Sequence, residues 1–428
     1  MSTPSSEVAE SRMDVAQRLR NFVKETGSVG VWPLLVLMAL AGVQNVDVVA
    51  FGVLSPDIRD TFGLSNAGID AIASLTAAVP VAFSVFLGYI GDRTNRVRLT
   101  SYAAIVFGAM AVLTGLAPAL AILVIARIVG GTGFLSSETI TPGLLSDYYP
   151  PKILGSVFGT YRFGSYGLSL AVGAGLAGIV GSAIGWRATY VLLALPTFAL
   201  VVFVRVLLKE PERGATQGLA VASESESTIG ESFRRVRAIR TLRRTWTSAF
   251  LFGAGTLPFA TLLSTFFKDV YHQGDAARGV IATVYGLGGL LGIGLGGWLG
   301  QRAVSTGQPR KLALINGLMI VEFAGGIILM AGLPVLALSV VAVALLSIGA
   351  FGFLPAYTTL VSVVAPPRVR AQAFGWSLLF YSAGAVVITP IVGSIGDAHG
   401  QRAALLFLAV LVAAGGMVGA SCARFVDR

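Results

Sequence analysis

The sequence predicts an all-α membrane protein, with twelve transmembrane helices in two six-helix, pseudo-symmetric halves. Three observations predict it. Hydrophobic residues make up 55% of the chain and charged residues 12%, with a mean hydropathy of +0.79, whereas a soluble domain carries about a quarter charged residues. The apolar residues come in long runs, such as 31–54, 67–90, 119–139 and 335–357. Runs of roughly 18 or more can cross a bilayer. Segments of the first half also recur, in order, in the second. Helices follow because backbone polar groups cannot stay unpaired in lipid, and the short alternating segments of an outer-membrane barrel are not visible.

The expected spans are 31–54, 67–91, 98–117, 119–146, 153–182, 186–208, 246–268, 276–300, 310–331, 334–360, 370–396 and 402–424. This divides the chain into a cytoplasmic tail (1–30), a first half (31–208), a cytoplasmic linker (209–245) and a second half (246–428). The linker opens with Lys209-Glu-Pro-Glu-Arg213 and passes through Ser223-Glu-Ser-Glu-Ser-Thr228. It closes on Arg234, Arg235, Arg237, Arg240, Arg243 and Arg244, which reads as a helix lying on lipid headgroups.

The repeat is carried by three matches. Pro150-Pro-Lys-Ile-Leu-Gly-Ser-Val-Phe-Gly159 aligns with Pro366-Pro-Arg-Val-Arg-Ala-Gln-Ala-Phe-Gly375, each opening the fifth span of its half. Gly185-Trp-Arg187 aligns with Gly400-Gln-Arg402 before the sixth. Gly88-Tyr-Ile-Gly-Asp-Arg93 aligns with Gly297-Trp-Leu-Gly-Gln-Arg302 at the end of the second. Two such halves suggest parallel repeats around a central site.

The net charge of +10 would suggest nucleic acid in a soluble protein, but the placement of the charges assigns it to topology. Arg12, Arg18, Arg20, Lys24, Arg93, Arg96, Arg98, the eight basic residues of the linker, Arg302, Arg310, Lys311, Arg368 and Arg370 fall on one side. Arg59, Arg187, Lys268, Arg278 and Arg402 fall on the other. The positive-inside rule puts both termini in the cytoplasm and the protein in the plasma membrane, the inner membrane of a bacterium. No cleavable signal peptide is visible. The one cysteine, Cys422, cannot form an internal disulfide.

Gly88-Tyr-Ile-Gly-Asp-Arg-Thr-Asn-Arg96, with twelve spans and a long central linker, resembles the signature loop of the major facilitator superfamily. A closer resemblance is to the spinster family of lysolipid and sphingoid-phosphate transporters. It rests on Asn45-Val-Asp47 and Leu54-Ser-Pro-Asp-Ile58 in span 1, and on Arg127, Thr141-Pro142 and Asp147-Tyr-Tyr149 in span 4. Val48 stands where that family has arginine. Phe134 stands where it has a glutamate, and Glu138 follows one turn later. The resemblance implies that Asp92, Arg93, Arg96 and Asp147 form a conformational latch. Asp92 would cap the N-terminus of span 11, where the helix dipole favours an anion, and Arg96 would bridge Asp92 and Asp147. Gln301 in the second copy would leave the latch one-sided.

Charges inside the membrane are costly and mark function. Asp47 lies about 24 Å from the cytoplasmic end of span 1, and Arg127 about 12 Å from the outer end of span 4, at 1.5 Å per residue. In a core about 30 Å thick they can pair. Glu138 follows Arg127 by eleven residues, about three turns, with Phe134 on the same face. Arg162 in span 5 is its expected partner, and Tyr161 beside it offers a hydroxyl to substrate. Glu322 in span 9 reads as a structural, protonated or hydrogen-bonded group.

Spans 7, 8, 10 and 11 offer instead Phe259, Phe351, Tyr357, Trp376 and Tyr381 as an apolar cavity wall. One charged wall and one apolar wall suit an amphiphile. The expected function is therefore proton-coupled, alternating-access transport of an amphipathic or lipid-like solute of lysolipid or sphingoid type. A proton-coupled multidrug exporter is the alternative within transport, and a non-transporting sensor or scaffold the alternative of another class. Membrane lipid, the solute and protons are the expected partners of a monomer. No enzyme, cofactor, metal cluster or nucleic acid is expected.

Overall fold

A computed structural model describes residues 17, 22–169, 173–214, 216 and 228–426. Most of the tail, with Arg12, Arg18 and Arg20, and the acidic 221–227 stretch of the linker lie outside the described residues. Every regular element described is helical. Among the described residues, ten helices are by themselves long and apolar enough to cross a membrane. The remaining crossings are broken ones. Span 2 runs as Asn66–Ala82 and Ser84–Gly91. Span 5 begins as Leu154–Leu168. Its outer part belongs to Ala174–Leu207, a continuous assignment that turns back at Gly185 (φ 79°, ψ 160°) to become span 6. The other spans are Trp32–Phe62, Arg96–Leu116, Leu120–Thr139 with Thr141–Tyr148, Arg240–Asp269, Asp275–Ser305, Arg310–Gly332, Leu336–Val364, Arg370–His399 and Gln401–Ser421.

The duplication is present in the backbone itself. Gly400, between spans 11 and 12, has φ 84° and ψ 164°, matching Gly185 between spans 5 and 6. This left-handed region favours glycine. The Pro-Pro sequences at 150–151 and 366–367 each lead into a single 3-10 turn, Pro151–Ile153 and Pro367–Val369.

Two boundaries differ from expectation. Span 1 continues past 54 to Phe62 and ends at left-handed Gly63. Pro56 does not stop it, although proline removes the N–H that would bond the carbonyl of Gly52. The Ser55 hydroxyl donates to that carbonyl instead, at 2.9 Å, so no backbone acceptor is abandoned in lipid. The basic segment is likewise not one surface helix. Ile229–Ala238 is a separate helix, closed by a Thr228–Glu231 capping box. Arg240, Arg243 and Arg244 form the first turns of span 7.

The first half packs around two apolar clusters, one with Leu40 and Phe158 and one with Phe51 and Leu54, and the second around Phe259, Phe266, Phe323 and Leu346. Spans 3, 6, 9 and 12 lie on the outside and expose Tyr102, Val206, Leu318 and Val410. The halves meet along spans 2 and 11 and along spans 5 and 8. We call the side carrying the central linker the linker face; the first and last described stretches, around Gly30 and Phe425, lie on it.

Candidate functional site: a central cavity with a closed linker face

A cavity of about 340 Å³ lies between the halves. Spans 4 and 5 give it Glu138, Arg162 and Tyr166; spans 7, 8, 10 and 11 give Phe252, Thr256, Tyr285, Phe351, Phe353, Tyr357, Ser377 and Tyr381. Glu138 and Arg162 are its charged lining residues. Arg162 Nη1 donates to both Glu138 carboxylate oxygens at 2.8 Å. The buried Nε of Arg162 has no acceptor among the described residues, so the guanidinium keeps unused donor capacity at the cavity wall. Span 4 breaks at Ile140, just past this pair. There Pro142 denies the Glu138 carbonyl its usual helical donor. Tyr166, one turn beyond Arg162, meets Phe351 across the halves at 6.3 Å between ring centroids. The Tyr381 and Thr256 hydroxyls lie 2.8 Å apart.

Asp47 and Arg127 form an ion pair at 2.5 Å inside the first half. The guanidinium sits 4.8 Å over the Phe51 ring. One turn along span 1, Gln44 accepts from Ser137 of span 4 at 2.6 Å. Asp47 Oδ1 and Arg127 Nε, both buried, have no partner among the described residues. This pair does not line the cavity.

Two expected substrate-site residues, Tyr161 and Phe134, and two expected wall residues, Phe259 and Trp376, do not line the cavity. Tyr161 is fully buried and its hydroxyl donates to the Ser137 carbonyl at 3.2 Å. Adjacent helical residues point about 100° apart, so Arg162 and Tyr161 cannot both face it. Phe134 is half-buried and outside the lining. Phe259 is sealed against Tyr285 and Phe323. Trp376 belongs to an aromatic cluster with Phe233 and Trp246. Phe351, Tyr357 and Tyr381 do line the cavity. Glu322 is exposed on the outer flank, its carboxyl against Gly349 of span 10.

The linker face is closed by two seams. In the 2/11 seam, Asp92 accepts from the Ala371 and Gln372 amides at 3.0 and 2.9 Å, capping span 11. Asp147 is a buried hub. It accepts from Arg96 at 2.5 Å, from Arg370 of the second half at 2.7 Å and from the Gly214 amide at 3.1 Å. Arg96 does not bridge to Asp92. Its second partner is Glu210, at 2.8 Å, and Glu210 also accepts from the Val97 amide at the start of span 3. Arg93 lies 3.6 Å over the Tyr89 ring and donates to the Tyr89 carbonyl, outside the hub. Arg213 reaches the Gly91 and Thr94 carbonyls. The sequence reading missed Glu210 and Arg213, although Glu210-Pro-Glu-Arg213 directly follows span 6.

The 5/8 seam repeats this grip in neutral form, so contacts of this kind are not confined to one seam as expected from Gln301. Gln301 accepts from the Ser156 amide at 2.9 Å and donates to the Lys152 carbonyl at 2.7 Å. An amide oxygen can cap a helix as a carboxylate does.

Asp92 lies just outside span 2, and burial pushes its carboxyl up from 3.8 to about 7. The Gln372 and Ala371 amides and the Arg213 and Arg96 guanidinia oppose that rise. A carboxyl whose value is raised in the closed seam holds its proton more tightly there than in an open, solvated seam. By linkage, closure strengthens as pH falls from about 7 towards 3.8, and that gain is lost as pH rises through about 7. A cysteine at Ser377, labelled from the linker face, should react more slowly as pH is lowered through this window, once thiolate ionisation is corrected for. Asp92→Asn should flatten the profile. A pH slope that survives in Asp92→Asn would assign it elsewhere.

A model of the Major Facilitator Superfamily matches residues 35–389. The "Probable sulfoacetate transporter SauU" of Cupriavidus necator is 23% identical over 318 residues, covering 72% of this chain and 73% of its own length. The hexuronate transporter of Bacillus subtilis is 24% identical over 328 residues, 72% of this chain and 76% of its own. Protein spinster of Drosophila melanogaster is 27% identical over 173 residues, 39% of this chain and only 27% of its own. Among solved structures, a bacterial homologue of the human lysosomal transporter spinster, inward-facing and unoccupied, superposes with a TM-score of 0.62. It is 20% identical and covers 94% of this chain and 98% of its own. The proton:xylose symporter XylE gives a TM-score of 0.70 at 14% identity, covering 92% and 95%. The fold is theirs, and the chain is a multi-pass membrane transporter rather than an enzyme. With twelve spans in two repeated halves and a family match over most of its length, this chain belongs to the Major Facilitator Superfamily.

Proposed function

We propose that this transporter moves an amphipathic solute with a charged head by proton-coupled alternating access. The observation that carries the reading is the Glu138–Arg162 pair, set in a cavity lining otherwise apolar, aromatic or hydroxylic. A proton on Glu138 removes the charge that holds Arg162, whose guanidinium then turns its donors to an anionic head. The aromatic wall takes the apolar part. Loss of the proton re-forms the pair and expels the head. The relatives named for sulfoacetate and hexuronate carry acids, in keeping with an anionic head. At about 340 Å³ the cavity is at the small end of small-molecule sites, roughly 300–1,000 Å³. A compact aromatic or short-chain acid fits within it. A lysolipid or sphingoid solute, favoured by the spinster resemblance, needs its chain to run out between the halves. In this reading the linker face is cytoplasmic, the plasma membrane is its location and a monomer is sufficient.

Purified protein in liposomes should accumulate a member of a panel of aromatic carboxylates and lysophospholipids when a pH gradient is imposed. Glu138→Gln should lose accumulation and retain counterflow, because Arg162 still binds the head. Asp47→Asn separates the two candidate proton sites by the same assay. A wild type that accumulates nothing sinks the reading. Undiminished accumulation by Glu138→Gln removes Glu138 from the coupling.

A further inference from the structure

We propose that the groove between the linker helix Ile229–Ala238 and the linker-face ends of spans 7 and 11 binds one anionic phospholipid. Its phosphate would lie between Arg237 and Arg243, with an acyl chain along Phe250 and Phe380. The groove encloses about 340 Å³ and is walled by Phe233, Arg237, Arg243, Trp246, Phe250 and Phe380. Its aromatic wall is built, not incidental. Phe233 stacks on Trp246 at 5.8 Å and 4° between planes, and Trp246 stacks on Phe380 at 5.4 Å and 20°.

Charge and depth select the occupant. Residues 228–246 hold six arginines and one glutamate, Glu231. Arg244 is engaged elsewhere, over the Phe425 ring at 4.5 Å and on Ser421 Oγ at 2.7 Å. Arg237 and Arg243 are exposed at the groove. Span 7 starts at Arg240, so Phe250 lies ten residues, roughly 15 Å, along its axis. The groove therefore runs from headgroup level into acyl depth. A soluble anion would use only its basic end, whereas a phospholipid uses both. Trp246, six residues into span 7, carries the wall from headgroup level towards acyl depth. The same apolar cluster reaches Val369, Ala373 and Phe374 at the start of span 11, beside the amides that Asp92 grips. A lipid here would brace the linker helix against a gating element. This inference is independent of the transported solute.

The test is native mass spectrometry of the delipidated full-length protein titrated with dioleoyl-phosphatidylglycerol or dioleoyl-phosphatidylcholine. Wild type should retain one phosphatidylglycerol in preference to phosphatidylcholine. Arg237→Gln with Arg243→Gln should weaken it about thirtyfold, each basic side chain being worth about a factor of five at an anionic surface. Arg234→Gln with Arg235→Gln, on the same helix but outside the groove wall, should leave it unchanged. Equal weakening by both double variants would replace the groove with diffuse surface charge and overturn the proposal. So would displacement of the lipid by millimolar inorganic phosphate, or equal retention of phosphatidylcholine.

Discussion

Gly88→Val is expected to hold the linker face open and abolish transport. A Cβ at Gly88 would meet backbone only: the Ala371 carbonyl oxygen at 2.6 Å and Gln372 Cα at 2.8 Å. No rotamer change relieves a clash with backbone, so spans 2 and 11 must separate. Overpacking of this kind costs about 1–3 kcal/mol. At about 1.4 kcal/mol per tenfold change, the closed-to-open ratio falls about five- to a hundredfold. The Ser377 cysteine should then label rapidly from the linker face, and gradient-driven uptake should vanish. Gly52→Ala in span 1 is the control, since nothing lies within 4 Å of its new Cβ. If Gly88→Val labels as slowly as wild type, the 2/11 seam is not the gate.

Asp147→Asn is expected to be the most destabilising single substitution at the seams. Asp147 is fully enclosed and answers two buried guanidinia, Arg96 and Arg370, whose side chains are 2% and 1% exposed. Removing its charge takes from both guanidinia their shared buried anion; Arg96 keeps Glu210 and the Pro211 carbonyl. Breaking a buried pair by deleting one partner costs about 3–5 kcal/mol. Thermal unfolding in detergent should show a large loss. Adding Arg370→Gln should recover part of it, because that substitution removes a buried cation that has lost its Asp147 ion pair. A midpoint within error of wild type would show that solvent reaches the hub. An additive double variant would show that the two residues are not coupled.

Much of this was legible in the chain, for identifiable reasons. Burying apolar runs in lipid leaves few alternatives, so the spans, the repeat and the two-half plan followed from hydropathy and matched segments. Intramembrane charges are few, so depth alone paired Asp47 with Arg127 and Glu138 with Arg162. Rotation about a helix axis was not legible. Tyr161, Phe259 and Trp376 sit on the right helices with the wrong azimuth. Tyr166 was within reach, since it follows Arg162 by four residues and shares its face. The role of Glu210 depends on the linker folding back under spans 3 and 4, which no local pattern encodes.

The two seams share one geometry but not one chemistry, and that difference gives the molecule a direction of failure. At the 2/11 seam a carboxylate holds span 11; at the 5/8 seam the Gln301 amide holds span 5. Salt, protons and membrane voltage act on the first grip and are nearly without purchase on the second. The neutral seam is then expected to act as the fulcrum and the charged seam as the lip that parts. A duplicated protein built from equal halves would have no reason to tilt one way; changing one aspartate position to glutamine is enough to make a symmetric clamp into a lever.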